Sequence, residues 1–337
     1  MKAVGFYSSL PIEDPASLVD LDLPAPELRP HDLLVRVRAV SVNPVDVKVR
    51  ARITPADGTA HILGYDAVGT VEAVGPQVTL FRLGDEVFYA GSIDRPGTNS
   101  ELHAVDERIV GRKPATLGDA EAAALPLTAI TAWELLFDRL GVPYGTKTQE
   151  GAILIVNGAG GVGSILTQLA RRLTGLTVIA TASRPETIAW CKAMGAHHVI
   201  DHRQPLDEGL KAIGIPQVQY VASLTATDQH LPAITNALAP QGALALIDDP
   251  KVLDIVPFKR KSQSVHWEFM FTRPLFDTPD IIRQHRLLNE VSALVDAGLL
   301  RTTLREELGA ISAANLRKAH ALVESSRAIG KAVLVGF

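Results

Sequence analysis

Residues 152–163 read Ala-Ile-Leu-Ile-Val-Asn-Gly-Ala-Gly-Gly-Val-Gly, and this stretch determines the fold that we predict for the chain. Its first five residues are apolar and mostly β-branched, which is typical of a strand buried on both faces of a parallel sheet. Glycines at 158, 160 and 163 then form the pattern Gly-x-Gly-x-x-Gly. Over residues 164–173 the apolar positions repeat with helical spacing, and two arginines stand near the end. The stretch therefore predicts a strand, a glycine turn and a helix in succession.

This succession matches the opening of a dinucleotide-binding Rossmann unit. In such a unit one glycine permits the tight turn, one lets the backbone approach the pyrophosphate, and one lets the helix pack closely on the strand. The helix N-terminus presents unpaired N–H groups and the positive end of its dipole to the phosphates. A glycine-rich turn has other structural uses, but its place between a strand and a helix favours dinucleotide binding. The predicted cofactor-binding residues of the turn are Asn157, Gly158, Ala159, Gly160, Gly161, Val162 and Gly163.

Length and composition limit the classes of function. A chain of 337 residues is long for one core, so two domains are expected. The net charge of −4, without a basic block, argues against nucleic acid and anionic membranes as partners. The single cysteine, Cys191, excludes an internal disulfide and a multi-cysteine metal cluster, and it suits a reducing cytoplasm. The N-terminal apolar run is too short for a signal peptide, and we expect no run long enough to span a bilayer.

The first 126 residues predict a β-rich domain. Residues 32–42 and 67–75 alternate apolar and polar side chains, which indicates half-buried strands. No strand–helix–strand repeat is visible there, so we predict a separate barrel-like domain over 1–126. Helical spacing follows in 131–140.

Strands and helices alternate after the glycine turn, which predicts a doubly wound parallel sheet over 127–270. Short apolar runs mark further strands at 176–181, 198–200, 220–223 and 242–247. Ligands of such sheets bind past the carboxyl ends of the strands, which adds Leu224 and Ile247 to the cofactor site. Residues 271–337 then predict two helices and a closing strand at 331–335 that returns to the first domain.

The end of the second predicted strand indicates which nicotinamide cofactor binds. An NAD-binding chain places a carboxylate there to bind the ribose 2′-hydroxyl. This chain has Ser183 and Arg184 instead, a hydroxyl and a guanidinium that suit a 2′-phosphate. We therefore predict NADPH, with Arg184 as an exposed helix cap being the alternative interpretation.

Several motifs in fixed order give the chain a resemblance to a known family. They are Val42-Asn43-Pro44-Val45-Asp46, Gly64-Tyr65-Asp66-Ala67-Val68-Gly69, Gly84-Asp85-Glu86-Val87 and the run at 125–132, followed by the glycine turn. The chain resembles the medium-chain dehydrogenase/reductase superfamily, in particular its quinone oxidoreductase branch and the group called zinc-type alcohol dehydrogenase-like. The resemblance implies an N-terminal GroES-like β-barrel domain that carries the substrate site. It also implies that Thr128 and Thr131 line the nicotinamide, unless their hydroxyls only cap a helix, and that His202 lies near the 2′-phosphate.

The resemblance further implies a homodimer. In the family a strand at the position of 264–271 pairs with its copy in a second subunit. The alternative interpretation of this aromatic run is an ordinary edge strand.

The positions at which zinc-dependent relatives carry metal ligands hold other residues here. They are Asn43, Tyr65 and Leu127: an amide, a phenol and an alkyl chain. Catalytic zinc needs about three ligands of the Cys, His or carboxylate type. A structural zinc loop cannot form with only one cysteine, and the ten histidines show no close ligand spacing. We therefore predict no metal site.

A site without zinc restricts the reaction that we expect. Reduction of an ordinary ketone relies on strong stabilisation of an alkoxide, which a metal supplies as a Lewis acid. Quinones and α,β-unsaturated carbonyls are already electron-poor, so hydrogen-bond donors suffice for the anions that they form. The candidate catalytic donors are Asn43, Lys48 and Tyr65, for which a turn residue, a solvated strand charge and a core side chain are the alternative interpretations.

The sequence thus leads to one main hypothesis and three alternatives. The main one is an NADPH-dependent, zinc-independent quinone reductase, with the acceptor held between the barrel and the nucleotide domain. The second is reduction of the double bond of enones or 2-alkenals. The third is a non-catalytic NADPH-binding structural or redox-sensing protein, and the last is a zinc alcohol dehydrogenase.

Overall fold

The structure is a computed structural model that describes residues 1–56, 58–147 and 151–337. The chain divides into two compact units. The first contains residues 1–130 and 271–337, and the second contains residues 131–270. The first unit is therefore discontinuous in sequence: one of its segments precedes the second unit along the chain and the other follows it. The sequence-based boundary at 126 and the boundary at 130 differ by half of one helix.

The N-terminal segment of the first unit is mostly β-structure. Its strands are β1 (Lys2–Phe6), β2 (Val19–Asp22), β3 (Asp32–Ser41), β4 (His61–Ile62), β5 (Ala67–Val74), β6 (Glu86–Tyr89), β7 (Leu102–Asp106) and β8 (Val110–Arg112). Its helices are α1 (Pro44–Arg52) and α2 (Asp119–Ala123), with 3-10 turns at Pro15–Ser17 and Glu107–Ile109, and α3 (Pro126–Trp133) leads into the second unit.

The second unit alternates strands and helices, as the sequence predicts. Its strands are β9 (Ala152–Val156), β10 (Thr177–Thr181), β11 (His198–Ile200), β12 (Val218–Ser223), β13 (Leu238–Leu246) and β14 (Ser264–Trp267). Its helices are α4 (Gly161–Leu173), α5 (Pro185–Met194), α6 (Leu206–Ala212) and α7 (Thr227–Ala237), with a π-helical turn at Glu134–Arg139 and a 3-10 turn at Val256–Lys261.

The C-terminal segment completes the first unit. It contains α8 (Thr272–Leu275), α9 (Ile282–Asp296), β15 (Leu304–Glu307), α10 (Ala313–Glu324) and β16 (Lys331–Val335). Strand β16 pairs with the end of β3, where Val333 lies opposite Ser41, so the last strand joins the sheet built by the N-terminal segment. The larger sheet has the order β15-β16-β3-β5-β6-β8, with β7 also paired to β3, and a smaller sheet has the order β2-β1-β4.

The sheet of the second unit is parallel throughout, in the order β11-β10-β9-β12-β13-β14. Strand β9 lies in its middle, and all five of its residues are buried, which explains its unbroken apolar sequence. Its register sets Ile155 beside Ala180 of β10 and Val156 beside Ser223 of β12. The carboxyl ends of these strands therefore lie along one edge of the sheet, as the prediction of a doubly wound α/β sheet requires.

Some local predictions differ from the structure. Residues after Asn43 form helix α1, which the sequence reading missed because the helix has only a weak apolar face; Lys48 is consequently a helix residue and not a strand charge. Strand β14 ends at Trp267, so the predicted strand over 264–271 is too long.

The expectation that no run is long enough to span a bilayer is also wrong, if only length and composition are considered. The helical stretch Asp119–Arg139 is 21 residues long and apolar enough to do so. However, 78% of its apolar window is buried inside the protein, as in the core helix of a folded domain. Such a stretch is weak evidence for a membrane segment.

Candidate functional site: a glycine turn and a buried amide–lysine–carboxylate cluster

The glycine turn follows the middle strand of the parallel sheet. Asn157, directly after β9, adopts a left-handed backbone with φ of 66° and donates its N–H to Thr181 Oγ1 at 2.9 Å. Gly160 precedes helix α4, and among the described residues no side chain caps the N-terminus of this 13-residue helix. The first N–H groups of α4 are therefore available to an anion, which is the arrangement that holds a pyrophosphate.

Steric crowding explains two of the three glycines. A Cβ on Gly158 would lie 2.6 Å from the Ala180 Cβ, and one on Gly163 would lie 2.3 Å from the Asn157 carbonyl oxygen. These two glycines let α4 approach the sheet closely. In this turn Asn157, and not a glycine, has the left-handed backbone conformation. Asparagine tolerates this conformation better than most residues do.

The other predicted cofactor residues of the second unit lie at the carboxyl ends of its strands. Leu224 follows β12 and is buried, and Ile247 follows β13 and donates its N–H to the Ser223 carbonyl at 3.3 Å. His202 follows β11 and is half-buried, and burial lowers the pKa of its imidazole. The structure thus brings Asn157, Leu224 and Ile247 to one edge of the sheet.

Ser183 and Arg184 follow β10, and both are half-buried. Arg184 precedes helix α5; its N–H is accepted by Thr187 Oγ1 at 3.1 Å, and its Nε lies 3.2 Å from Glu186 Oε1. No carboxylate occupies residues 182–185. The feature that would bind a ribose 2′-hydroxyl is therefore absent from the end of this strand.

Thr128 and Thr131 are both buried on helix α3. The Thr128 hydroxyl donates to the Leu125 carbonyl at 3.0 Å, so it bonds within its own helix terminus. Their assignment to the nicotinamide stays a prediction.

The first unit contains the three predicted catalytic residues. The side chain of one of them, Asn43, is hydrogen-bonded through both its nitrogen and its oxygen. Its side chain is 1% exposed, since β3 and α1 enclose it at the point where the strand turns into the helix. Its Nδ2 donates to Asp66 Oδ2 at 2.7 Å, and its Oδ1 accepts from Lys331 Nζ. Asn43 is thus one member of a buried cluster of polar side chains.

Asp66 is the centre of this cluster. Its Oδ2 accepts from Ser41 Oγ at 2.7 Å, from Asn43, and from Lys331 Nζ at 3.1 Å. Its Oδ1 accepts the N–H of Leu127 at 2.7 Å. Both oxygens of this fully buried carboxylate are therefore occupied, and Lys331 supplies the compensating charge.

Asp46 lies beside the same cluster, in the first turn of α1. Its carboxylate accepts the N–H groups of Asn43 and Gly64 at 2.8 and 2.9 Å. Burial raises the pKa of Asp46 to about 7, although these hydrogen bonds and the Lys331 charge act in the opposite direction. The cluster of Ser41, Asn43, Asp46, Asp66 and Lys331 is called the amide–lysine cluster below.

Tyr65 is 1% exposed, and among the described residues its hydroxyl has no hydrogen-bond partner. Burial raises the pKa of this phenol, and the neighbouring Asp46 charge raises it further. The hydroxyl therefore stays protonated. A buried donor without an acceptor is unfavourable unless a ligand completes the bond.

Lys48 is half-buried on α1, five residues beyond Asn43. It makes none of the hydrogen bonds that define the amide–lysine cluster. Its role as a proton donor stays a prediction.

The donor set of the first unit does not fit a zinc ion. The three positions that the family resemblance matches to zinc ligands carry an amide, a phenol and an alkyl group, and the two nearby carboxylates already accept hydrogen bonds. A lysine ammonium, itself a cation, stands among them. Within residues 1–56, 58–147 and 151–337, no three His, Cys, Asp or Glu side chains are grouped to hold a metal.

The sequence reading missed Ser41, Asp46, Asp66 and Lys331 as members of a site. Asp46 and Asp66 stand inside the motifs that it quoted, so two acidic residues in apolar surroundings were the available signal. Lys331 carried no signal, because only the pairing of β16 with β3 brings it to Asn43.

A second buried polar group lies in the second unit. Glu268 is 3% exposed, and its Oε2 accepts from Arg139 Nε at 2.8 Å. Glu134, which is fully buried in the π-helical turn, stands beside both. Burial and the Glu134 charge raise the pKa of Glu268, so a proton is retained on this pair.

The chain matches two family models. Residues 29–122 match the alcohol dehydrogenase GroES-like domain, and residues 194–334 match the zinc-binding dehydrogenase domain. A zinc-type alcohol dehydrogenase-like protein of Staphylococcus aureus is 41% identical over 337 residues, which cover 99% of both chains. A 2-methylene-furan-3-one reductase of Solanum lycopersicum is 35% identical over 200 residues, which cover 57% of this chain and 50% of the reductase.

Solved structures agree with these matches. A Rhizobium etli protein assigned as a zinc-dependent alcohol dehydrogenase is 62% identical, with a TM-score of 0.96 and coverage of 100% of this chain and 98% of that one. A quinone oxidoreductase of Pseudomonas syringae is 26% identical, with a TM-score of 0.83 and 99% coverage of both chains. The parallel sheet with its glycine turn, the GroES-like domain and these full-length relatives lead to one conclusion: the chain belongs to the medium-chain dehydrogenase/reductase superfamily, in its quinone oxidoreductase-like branch, and is an oxidoreductase.

Proposed function

We propose that the protein is an NADPH-dependent reductase of quinones that works without zinc. The observation that carries this proposal is the amide–lysine cluster beside Tyr65, whose hydroxyl has no hydrogen-bond partner among the described residues. These groups can stabilise negative charge by hydrogen bonding, but they cannot act as a strong Lewis acid. Electron-poor acceptors are the substrates that such a site suits.

The glycine turn and the end of β10 support a nicotinamide cofactor with a 2′-phosphate. The N-terminus of α4 accommodates the pyrophosphate, and Ser183 and Arg184 offer a hydroxyl and a guanidinium where a carboxylate would select NADH. When bound, the cofactor supplies a hydride from C4 of its nicotinamide.

The residues of the first unit act on the acceptor. A quinone that gains a hydride becomes a hydroquinone anion, whose oxygen carries the new charge. Tyr65 donates a hydrogen bond to that oxygen; its raised pKa keeps the phenol neutral, so it stabilises the charge and the final proton comes from solvent. In this proposal the Asn43 amide donates a second hydrogen bond to the same oxygen.

The test is NADPH oxidation measured with a naphthoquinone and, separately, with a simple enone. We expect faster turnover with the quinone, and a higher kcat/KM for NADPH than for NADH. Tight NADPH binding without oxidation by any acceptor would favour a non-catalytic nucleotide-binding protein. Alcohol oxidation by protein containing stoichiometric zinc would contradict the proposal.

Reduction of the double bond in α,β-unsaturated carbonyls is the second candidate function. The similarity to the tomato 2-methylene-furan-3-one reductase favours it. The same donors would then stabilise an enolate oxygen. Faster turnover with the enone than with the quinone would support this alternative.

We also propose that the protein is a cytoplasmic homodimer. Strand β14 is the last strand of the parallel sheet, and Trp267 at its end is 52% exposed, so a second copy can add its own β14 there. The sequence contains one cysteine, Cys191, so an internal disulfide cannot form, and this usage suits the reducing cytoplasm. Light scattering after gel filtration tests the dimer, and Trp267→Lys should convert it to a monomer.

A further inference from the structure

Lys331 is buried at the start of β16, with an exposure of 4%. Its ammonium donates to the Val42 carbonyl at 3.0 Å, to Asp66 Oδ2 at 3.1 Å and to Asn43 Oδ1. These three acceptors match the three hydrogens of an ammonium group. A buried lysine is costly unless its charge is paired and its hydrogens are bonded, and all of these conditions are met here.

The neighbours of Asn43 permit only one orientation of its amide. An ammonium can only donate hydrogen bonds, and an ionised carboxylate can only accept them. The amide oxygen must therefore face Lys331, and the NH₂ group must face Asp66, which it meets at 2.7 Å. A flipped amide would set donor against donor and acceptor against acceptor.

This orientation leaves one N–H of the Asn43 amide without an acceptor among the described residues. The Nδ2 atom carries two hydrogens, and Asp66 accepts one of them. Among the described residues, no hydrogen bond takes the second one. A cation bonded to the amide oxygen also draws electron density from the nitrogen, which makes the remaining N–H a stronger donor.

We propose that Lys331 is a positioning residue for reduction of the acceptor. It acts through Asn43, whose amide it fixes in one orientation and polarises, so that the free N–H stabilises the oxygen that becomes negative. This inference rests on the proposed function.

A double-mutant cycle tests the coupling between Lys331 and Asn43. We expect Lys331→Met to lower kcat roughly 10- to 100-fold while the Kd for NADPH stays unchanged. Removal of an oxyanion donor itself typically lowers kcat by about 100- to 1000-fold, and Lys331 acts only indirectly, so its loss should have a smaller effect. In an Asn43→Ala background, Lys331→Met should change kcat less than about twofold. Additive losses in the cycle would show that Lys331 does not act through Asn43.

A second pair of variants separates positioning from stability. Lys331→Met alone leaves the Asp66 carboxylate buried without a cation, which lowers Tm. Combining it with Asp66→Asn removes both charges, so we expect Tm to recover while kcat stays low. Recovery of both would overturn the proposal. Lys113→Met is the matched control, because the Lys113 side chain is only 7% exposed in the first unit. Among the described residues its ammonium donates to the carbonyls of Pro114 and Leu117 and lies 3.8 Å from Glu86, outside the amide–lysine cluster.

A readout that does not depend on activity distinguishes failure of this inference from failure of the proposed function. The chain contains six asparagines, so ¹⁵N-asparagine labelling gives six side-chain NH₂ signals, and Asn43→Ala identifies the relevant one. We expect Lys331→Met to shift that signal, whereas Lys113→Met leaves it in place. A wild type that reduces neither acceptor contradicts the proposed function. An Asn43 signal that Lys331→Met does not move contradicts the role of Lys331, whatever the turnover.

Discussion

Tyr65 and Phe271 meet edge to face, with ring centroids 5.3 Å apart and planes inclined by 69°. Tyr65 stands between β4 and β5, and Phe271 is the first residue of the C-terminal segment of the same unit. The contact fixes the phenol ring through its apolar part and leaves the hydroxyl to another partner. The ring packs as a core side chain does, but the hydroxyl has no hydrogen-bond partner among the described residues.

Tyr65→Phe should separate these two properties. The substitution keeps the ring contact and removes a hydroxyl that bonds nothing among the described residues, so we expect Tm to stay the same or to rise. If the hydroxyl donates to the reduced acceptor, kcat should fall about 10- to 1000-fold. Thermal unfolding and steady-state NADPH oxidation measure the two effects.

Lys48→Met serves as the comparison for Tyr65→Phe. Lys48 is half-buried on α1 and outside the amide–lysine cluster, so we expect at least about half of the turnover to remain. A loss as large as that of Tyr65→Phe would instead identify Lys48 as the donor.

Arg184→Ala should weaken NADPH binding more than NADH binding. A guanidinium bound to a 2′-phosphate contributes about 1.5–3 kcal/mol, which corresponds to a loss of roughly 10- to 100-fold in NADPH affinity. The Kd values of both cofactors, measured by fluorescence titration, give the difference. Arg172→Ala is the control, because Arg172 is an exposed arginine at the end of α4. Equal losses for the two cofactors would contradict the assignment of Arg184.

Asp46 should make stability depend on pH. The pKa of this carboxyl is about 7 in the folded protein, against 3.8 for an ordinary aspartate, so the folded state retains a proton that the unfolded state has lost. Stability should therefore fall as the pH rises from about 4 to 7, by on the order of 4 kcal/mol in total, and the loss is complete above the folded pKa.

Asp46→Asn should flatten this part of the profile. The variant also loses one acceptor for the N–H groups of Asn43 and Gly64, so its stability is lower at every pH, but the slope between pH 4 and 7 should be smaller. Asp22→Asn, in which an exposed carboxylate of the same unit is replaced, should keep the wild-type slope. An unchanged slope for Asp46→Asn would contradict the raised pKa.

Glu268→Gln should flatten a different part of the profile. The raised pKa of Glu268 means that the folded protein holds a proton on the Glu134–Glu268 pair, so stability falls as the pH rises from about 4.5 toward the folded value. Glutamine imitates the protonated acid: it can donate toward Glu134 and still accept from Arg139. We expect Tm above pH 7 to be higher in the variant than in the wild type. A lower Tm there would show that the ionised carboxylate is the form that the fold requires.

Local patterns were sufficient to predict the elements that depend on residues close together in the chain. The unbroken apolar run of β9, the glycines after it and the helical spacing of α4 predicted the strand, turn and helix of the second unit, because each pattern describes the local environment of its own element. The missing carboxylate after β10 was visible for the same reason.

The amide–lysine cluster of the first unit, in contrast, depends on contacts between distant parts of the chain. Asn43, Asp66 and Lys331 stand far apart in the chain, and they meet because β16 pairs with β3 and thereby carries a lysine into the core. No local pattern encodes such a pairing. The spacing of apolar residues predicts where helices and strands form. The partner of a buried charge depends instead on which strands become neighbours in the sheet.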